Sequence, residues 1–511
     1  MQYGEGNLKS AYERMAATRS MYLDRGRDSS RLTLPTLLPD AGNNAATRFT
    51  TPYQSVGARG VNNLASALLL SLLPPNAPFF RLVMDEAEER KIENIDPKIR
   101  TEVEDSLSQV ERSISKEIES TNMRVALFEA LKHLIVTGNS LLYLQEEGPV
   151  RVCRLDRFVV KRDPMGNAQC IILKENVAPA TLPENLKQLV AAQSESSHDS
   201  VEMYTKQEVV SDKEVEITQE IAGVPVEETK QRYRKDAAPF LALRMIRVDG
   251  EDYGRGYVEQ YYGDLSSLEG LTKAIVEGSA AASKILFLVN PNGTTRARTL
   301  ADSPNGAIRE GSANDVSVLQ TAKASDFSVA FSAIKQIEDR LSYAFLLTES
   351  TIRNADRVTA EEVRLVTQSI EKQLGGIYSV LSQDFQLPML NRVMQQMSKK
   401  KKLPKLPKDI ISPTIITGIE ALGRGSDLNR LDLYLAGIAQ TLGPQAIQEY
   451  INVSEYLSRR AASLGIDRKG LVRTEEELAT MRQQAQMAQM AQAAGPQAIA
   501  DAAAAQEPAP E

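Results

Sequence analysis

The sequence of 511 residues contains no tryptophan, only two cysteines and only two histidines. Cys153 and Cys170 are too few to build a disulfide framework. With only His133 and His198 beside them, no set of cysteines and histidines has the spacing of a metal site. We therefore predict that the protein uses no metal and no other cofactor, that both cysteines are reduced and packed, and that His133 is packed on an apolar helix.

An excess of positive charge is also lacking. The 60 basic residues are outnumbered by 67 acidic ones, which gives a net charge of −7 and argues against a dedicated DNA-binding domain. Aromatic residues make up 5% of the chain, so a surface that stacks sugars or unpaired bases is not favoured. The longest apolar stretch, Leu64–Leu73, is about half as long as a bilayer requires, and no secretory signal opens the chain. We expect cytoplasmic synthesis and no membrane partner.

The usual phosphate-binding and metal-binding motifs are absent or weak. No segment matches GxxxxGK[ST], which excludes a phosphate cradle of that type. Gly57 and Gly60 are too weak a pattern for a dinucleotide site, and we interpret them as a place where helices pack closely. The carboxylates in the range 85–89 could hold a metal, but Arg90 and Lys91 follow directly, so a solvated charged surface is the better interpretation.

The first half of the chain mixes helical and alternating patterns. We predict a helix that begins at Thr51 and Pro52 and stops at Pro74, a second that begins at Asp96 and Pro97, and a third that closes at Gly138. The segments SLLYL, VRVCRL and FVVKR then alternate like strands, and DPMGN has the composition of a turn. The polar range 182–236 is predicted to form hairpins at a solvent-exposed edge rather than core.

The centre of the chain predicts two long helices with an excursion between them. After Gly254 and Gly256, an apolar stripe continues for about 28 residues, or about 42 Å of helix, with Glu269 and Lys273 as an outer ion pair. An excursion follows that is punctuated by glycine, proline and asparagine, and Asp326 is predicted to cap the second helix. A polar loop, 349–358, separates it from a third helix that begins with the capping box TAEE.

That third helix is predicted to kink at Gly375 and Gly376 and to be interrupted at Pro388. A lysine run begins at Lys399 and is interpreted as a solvated linker, with contact to DNA as the alternative. Beyond it we predict a helical region to about Leu464 and a tail rich in Ala and Gln that is disordered after Gly495.

This order of elements, together with several long strings, resembles the portal (head-tail connector) proteins of short-tailed double-stranded DNA bacteriophages of the autographivirus type. The strings lie between about Ser10 and Ile466. They are TPYQSVGARGVNNLAS (51–66), RVALFEALKHLIVTGNSLLYL (124–144), RLDRFVVKRDPMGN (154–167), DGEDYGRGYVEQYYGDLSSLE (249–269), DRVTAEEVR (356–364) and GIEALGRGSDL (418–428).

The resemblance implies an α+β, mostly helical portal fold that assembles into a ring, expected to be a dodecamer, at one vertex of the capsid in the virion. Its expected partners are passing double-stranded DNA, the terminase motor, the tail adaptor, and the scaffolding and major capsid proteins. The regions implied are the wing (1–255), first stem helix (256–283), clip (284–325), second stem helix (326–348), tunnel loop (349–358), kinked wing helix (359–398), crown (399–470) and C-terminal helix and tail (471–511).

Two segments carry the candidate functional residues. In the tunnel loop we expect Arg353, Asn354 and Arg357 to face DNA phosphates, while Glu349 and Asp356 limit the net attraction so that DNA can slide; an ordinary connection between helices is the alternative. The clip corresponds to the excursion between the two long helices, and we keep the word excursion for it. Three of its arginines are candidates for docking an acidic surface of the motor or the adaptor. These are Arg296, Arg298 and Arg309. The alternative is that the excursion is an ordinary surface loop.

The function predicted is therefore that of a channel, without catalysis by this chain. One alternative is a tail adaptor or a minor structural capsid protein, which would show no axial channel. Another is a DNA-processing enzyme of the packaging machinery, which would need clustered carboxylates or an activated nucleophile, and would act on DNA with magnesium.

Overall fold

A computed structural model describes residues 7–40, 42, 47–74, 79–84, 97–146, 148–182, 187, 200–282, 286–319, 324–347, 374–403, 411–415, 432–441 and 443, and isolated positions between 451 and 484. The chain divides into two compact units, Met1–Gly418 and Ile419–Glu511. In the second unit, residues 432–441 are helical, and the Tyr456 hydroxyl donates a hydrogen bond to the Asp432 carboxylate at 2.6 Å.

The described part of the first unit mixes helices and antiparallel strands. Its helices are α1 (Leu8–Arg31), α2 (Val56–Leu72), α3 (Pro97–Ser120), α4 (Met123–Thr137), α5 (Tyr257–Gln260), α6 (Tyr262–Ala282), α7 (Ala297–Ala301), α8 (Ala324–Ala344) and α9 (Leu387–Lys399). Its strands are β1 (Phe80–Met84), β2 (Asn139–Tyr143), β3 (Arg151–Cys153), β4 (Phe158–Arg162), β5 (Ala168–Val177), β6 (Val201–Val209), β7 (Glu214–Ile221), β8 (Val224–Arg234), β9 (Phe240–Arg244), β10 (Leu286–Val289), β11 (Val316–Leu319) and β12 (Ile411–Ile415). The predicted α+β class is confirmed.

The strands form four antiparallel sheets. Five strands make a sheet in the order β4–β5–β6–β7–β8, three make a sheet in the order β3–β2–β9, and β1–β12 and β10–β11 are separate pairs. The three predicted strand segments coincide with β2, β3 and β4. The DPMGN turn between β4 and β5 is also confirmed, because Gly166 has a φ of 86° and donates its N–H to the Asp163 carbonyl at 2.8 Å.

The main hydrophobic core lies where α2 packs against α4 and α8, and Leu265 and Leu268 of α6 belong to the same cluster. Leu64, Leu68 and Leu72, one turn apart along α2, have no exposed surface. Complete burial of each leucine contributes about 1.5–3 kcal/mol. No described helix combines the length and the apolar character that crossing a membrane would take.

Glycines allow the chain before α5 to cross the corner between α4 and β2. Gly138 ends α4 with a φ of 77°, as predicted, and a Cβ there would lie 2.3 Å from the carbonyl carbon of Arg255. A Cβ on Gly256 would lie 2.5 Å from the Val136 oxygen. The Asn139 amide closes the crossing, since it accepts from the Gly254 N–H and donates to the Gly254 carbonyl, both at 2.7 Å.

The predicted start of the first of the three helices is wrong. The helix, α2, begins at Val56 rather than after Thr51 and Pro52. The reason is a long-range contact: the Glu269 carboxylate on α6 accepts the backbone N–H groups of Tyr53 and Gln54 at 2.9 and 3.1 Å. Because those donors are already satisfied, the segment stays non-helical until the Gln54 side chain caps the N–H of Gly57 at 2.9 Å.

Two predictions about the later helices are also wrong. Residues 374–399 are helical through Pro388, because a π-helical turn at Ser382–Gln386 absorbs the proline instead of breaking the helix. The range after the lysine run is not all helical, since β12 pairs with β1 and places Ile415 opposite Phe80. A strand of five residues that includes Pro413 carries little signal of its own.

Within the polar range 182–236, β6, β7 and β8 are the outer strands of the five-stranded sheet. The prediction of a hairpin at a solvent-exposed edge is confirmed for β7–β8, where β8 is the largely exposed edge strand. The statement that none of this range is core is wrong for β6, because Tyr204 and Thr205 are each 1% exposed. Tyr204 packs against Tyr12 of α1 with ring centroids 5.6 Å apart, so α1 covers this face.

We predict that Gly138→Ala destabilises the first unit by about 2–5 kcal/mol, because a left-handed backbone conformation costs roughly 1–2 kcal/mol and overpacking against Arg255 about 1–3 kcal/mol. Gly250→Ala is the matched control, since Gly250 has a φ of 74° but nothing within 4 Å of its Cβ position. Denaturant unfolding of both variants measures the difference. Equal losses of stability in the two variants would contradict the close crossing at Gly138.

Candidate functional site

The two predicted long helices form an antiparallel hairpin. Helices α6 and α8 pack along each other and are joined beyond their distal ends by the β10–β11 pair. Near the proximal end, Arg340 Nη2 lies 2.9 Å from Asp264 Oδ1. Near the distal end, a Cβ on Gly278 would lie 3.1 Å from the Phe327 ring. The two contacts are separated by nearly the same number of residues on each helix, so the register is constant along the hairpin.

The bounds of the hairpin helices differ slightly from the predicted ones. The first helix is broken at Tyr261, which has non-helical backbone angles, so α6 has 21 residues and a length of about 32 Å. The second begins at Ala324, which puts Asp326 inside its first turn rather than at the cap. Lys273 lies 4.0 Å from Glu277 rather than pairing with Glu269, because Glu269 is occupied by the backbone before α2.

An aromatic cluster fixes the proximal end of the hairpin, which we call the root. The rings of Tyr257, Tyr261 and Phe345 have centroids 5.2–5.8 Å apart. The Tyr257 hydroxyl donates to the Ala344 carbonyl at 3.0 Å, so it satisfies an end carbonyl of α8 from the side of α5. Burial and the hydrogen bond between the Tyr257 and Tyr261 hydroxyls both raise the pKa of Tyr257.

Helix α2 supplies the other side of the root. A Cβ on Gly60 would lie 2.6 Å from Phe345 Cγ, which confirms the predicted close packing at this glycine. Asn63 Nδ2 donates to the carbonyls of Phe345 and Leu346, both at 3.0 Å. These two carbonyls follow the last turn of α8, and the single amide therefore holds the end of that helix on α2.

Exposure of apolar side chains rises towards the distal end of the hairpin. Leu265, Leu268 and Leu341 near the root are completely buried. Farther out, Val329 is 72% exposed and Phe331 57%. Phe331 and Phe327 line a shallow depression of about 590 Å³ on α8. Within the described chain, the apolar side chains of α8 are thus covered only near the root, which leaves an apolar surface for contact with another molecule.

The excursion is closed at its base by Asp315. Its Oδ2 accepts hydrogen bonds from the Thr294 hydroxyl, the Thr295 hydroxyl and the Thr295 N–H at 3.0–3.1 Å. The backbone hydrogen bond from Thr295 is the main reason that the pKa of Asp315 is lowered. A Cβ on Gly293 would lie 2.4 Å from the Asp315 Cγ, so the closure also requires a glycine.

The structure does not gather the three candidate arginines of the excursion into one cluster. Arg296 directly precedes α7 without a side-chain capping hydrogen bond, and Arg298 lies within the helix. Arg309 returns to the other end, where its Nε donates to the Ser303 hydroxyl at 3.0 Å. All three are exposed, and none of them pairs with a carboxylate elsewhere in the described ranges. They present positive charge along the excursion, and their docking role stays a prediction.

Other candidate residues have mixed outcomes. All five tunnel-loop candidates, Glu349, Arg353, Asn354, Asp356 and Arg357, lie outside the described residues, as do the carboxylates of 85–89. The lysine run is not a free linker, since Lys399 ends α9 and pairs with Glu146, and Lys402 Nζ lies 2.7 Å from Glu117. Of the three residues predicted to be packed, His133 is buried with a pKa lowered by burial to about 4.

Both cysteines are buried and free, as predicted. Burial raises the pKa of the Cys153 thiol to about 11 and that of Cys170 to about 12. Neither thiol is therefore a nucleophile near neutral pH. No group of three or more metal-binding side chains comes together among the residues that the structure describes.

Residues 5–472 match the protein family described as "Bacteriophage head to tail connecting protein". The portal protein of Escherichia phage T7 is 41% identical over 481 residues, which cover 93% of this chain and 89% of that protein. The portal protein of Enterobacteria phage T3 is 40% identical over 490 residues, which cover 94% and 91%. Among solved structures, the neck of an empty gene transfer agent particle aligns with 81% of this chain and 90% of its own, at 12% identity and a TM-score of 0.37.

We predict that Asp315→Ala loosens the excursion and leaves the rest of the first unit intact, because the three hydrogen bonds that close its base share one carboxylate. Hydrogen exchange measured by mass spectrometry should show faster exchange in residues 290–319, with a change of global unfolding free energy within about 0.5 kcal/mol. Asp302→Ala, an exposed acid in the same excursion, is the control and should leave exchange unchanged. Unaltered protection in the Asp315 variant would rule out its closing role.

Proposed function

The chain belongs to the family of bacteriophage head to tail connecting proteins, and from this premise we propose that its copies close into a ring around double-stranded DNA. It is a connector of the portal type and a component of the virion at the portal vertex. The proposed ring has twelve subunits, and its axial hole admits DNA during packaging and releases it during ejection.

The hairpin is the observation that carries this proposal. Its root is fixed by the core, whereas its distal half exposes Val329 and Phe331, which no residue of the described chain covers. A neighbouring subunit related by rotation would cover them in a head-to-tail contact, and such a contact closes into a ring when the rotation per subunit divides a full turn. In this arrangement the hairpins of neighbouring subunits lie side by side around the ring axis.

The proposed regions follow this arrangement. The two hairpin helices act as the stem (256–283 and 326–348), and the excursion acts as the clip (284–325). The body before the stem is the wing (1–255), the helix that contains the π-helical turn belongs to the kinked wing helix (359–398), and the crown (399–470) and tail (471–511) follow. The excursion docks the terminase motor and later the tail adaptor through its exposed arginines, while the scaffolding and major capsid proteins contact the assembled ring.

The tunnel loop, 349–358, is proposed to face the DNA. It follows α8 directly after the root, so it starts at the end of the stem that the core holds in place. Arg353 and Arg357 offer charge-assisted donors to phosphates, and Glu349 and Asp356 keep the net attraction low enough for the duplex to slide. The action proposed for this connector is geometric and needs no bond to be broken. DNA cleavage by the purified chain with magnesium would instead support the alternative of a DNA-processing enzyme.

We predict that Phe331→Glu prevents ring assembly, because the proposed contact would bury an unpaired carboxylate. Electron-microscope images and mass photometry of the purified chain should show rings with an axial hole for the unaltered protein. For the variant, rings should fall at least about tenfold in abundance, which corresponds to about 1.4 kcal/mol.

Met165→Glu is the matched control, since Met165 is equally apolar and 85% exposed but lies in the turn between β4 and β5. Its rings should form normally. Rings of Phe331→Glu at the normal level would remove the hairpin from the interface. A compact monomer, or an assembly that is solid along its axis, would reject the connector channel as a whole.

For the tunnel loop, we predict that replacing both Arg353 and Arg357 with Ala preserves the ring but changes packaging or genome retention, because two phosphate contacts per subunit are lost. The amount of DNA protected from nuclease in filled heads, and its loss on storage, measure the two effects. As a control, replacing Lys230 and Arg232 of β8 with Ala removes the same amount of positive charge at a site outside the loop. This control should change neither packaging nor genome retention. Normal packaging and retention by the loop variant would exclude the loop.

A further inference from the structure

Two arginines meet at the turn between β4 and β5. Arg162 ends β4 and Arg244 ends β9. Arg162 Nη1 and Arg244 Nη2 each donate to the Gly166 carbonyl at 3.0 Å, so the two nitrogens are at most twice that distance apart. Arg244 is 3% exposed and Arg162 is partly buried. Two like charges therefore lie close together where little water reaches them.

Their hydrogen bonds leave donors unused. A guanidinium carries five N–H donors. Arg162 uses three of them, on the carbonyls of Asp252, Gly166 and Ala242. Arg244 uses at most two, on Gly166 and, at 3.4 Å, on Glu251, and its buried Nε has no partner. Every acceptor is a neutral carbonyl oxygen. These oxygens satisfy the hydrogen-bonding needs of the donors, but they do not neutralise the positive charges of the two guanidinium groups.

The nearby carboxylates are already engaged. Asp384, presented by the π-helical turn, pairs with Arg247, and Asp252 pairs with Lys161 at 2.9 Å. Among the described residues, no carboxylate forms a direct ion pair with Arg162 or Arg244, and the charges of Asp384 and Asp252 offset theirs only from a distance. Burial, followed by the charge of Arg244, lowers the pKa of Arg162 to about 10.

A buried charge without a counter-ion is costly, so proteins pair such groups or provide other compensation. The remaining buried arginines show this. Arg19 also has an unpartnered Nε, but it lies alone and over the Tyr12 ring at 5.5 Å. Arg392 lies over the Tyr233 ring at 4.7 Å. Arg162 and Arg244 differ from Arg19 and Arg392 in two ways. No aromatic ring of the described residues lies under either guanidinium, and each is repelled by the positive charge of the other.

We propose that Arg162, Arg244 and Arg247 form a binding site for a small inorganic oxyanion, phosphate or sulfate. The anion accepts from the unused donors of Arg162 and Arg244 and supplies the missing negative charge. Arg247 borders the site and is 37% exposed, so it provides the route from solvent. The site joins the β4–β5 turn, the end of β9 and the π-helical turn, and its occupancy does not depend on whether the chain acts as a connector.

The test is the midpoint of thermal unfolding, Tm, of the full chain with increasing phosphate or sulfate, with the ionic strength held constant by sodium chloride. The unaltered protein should show a saturable rise in Tm, as expected for a ligand that binds only the folded state. In Arg244→Met this rise should be lost. In chloride alone the variant should unfold at the same temperature as the unaltered protein or above it, because an uncompensated buried charge has been removed.

A purely structural arginine would behave differently, since its loss would lower Tm equally with and without phosphate. Arg232→Met is the control: Arg232 is exposed, pairs with Glu216 at 3.1 Å, and should keep the full rise. The proposal is overturned if phosphate and sulfate have no saturable effect on the unaltered protein, or if Arg244→Met retains it. A short DNA duplex that raises Tm through Arg244 where free phosphate does not would also overturn it.

Discussion

The hairpin depends on the contact between Phe345 and Gly60. A phenylalanine ring at the end of α8 occupies the space where any other residue on α2 would carry a Cβ, 2.6 Å from the ring. Tyr257 and Asn63 then satisfy the carbonyls that α8 leaves open at its end, from two different sides. Because ring packing and hydrogen bonds act on the same turn, the direction in which α8 leaves the core is fixed by two separate helices, α2 and α5.

This fixed root explains why the rest of the hairpin can be exposed. Helices of about 30 Å that are held at one end only would splay unless something packs along them. Within the described part of one chain, the contact of α6 with α8 and the close approach at Gly278 hold the pair together, but the distal apolar stripe of α8, which includes Val329 and Phe331, remains exposed. A stable isolated subunit would bury this stripe. In the proposed ring, the apolar stripe of α8 is instead buried against the neighbouring subunit. The direction that the root gives to α8 then sets the angle between the hairpin and the ring axis.

Features that depend on neighbours in sequence could be predicted. Gly138 as the end of α4, the turn at Gly166 and the alternating strands β2 to β4 follow from backbone preferences and periodicity over a few residues. Features decided by distant residues could not. Glu269 delays the start of α2 from more than 200 residues away. A π-helical turn allows the helix to continue through Pro388, and β12 is a strand because it pairs with β1. In the candidate site, the arginines of the excursion are visible in the sequence, whereas Asp315 gains its role only when the chain folds back on Thr295.

The charge of the hairpin suits a wall along which DNA moves. Helix α6 carries three acidic residues and one basic residue, and α8 carries three acidic and two basic ones. In the proposed ring, the net negative charge of the hairpins would repel the phosphates and limit the release of counter-ions that drives tight binding. A duplex in such a channel is held by shape rather than by affinity. Attraction would then be needed only locally and briefly, and the few arginines of the proposed tunnel loop, balanced by acids, would supply it.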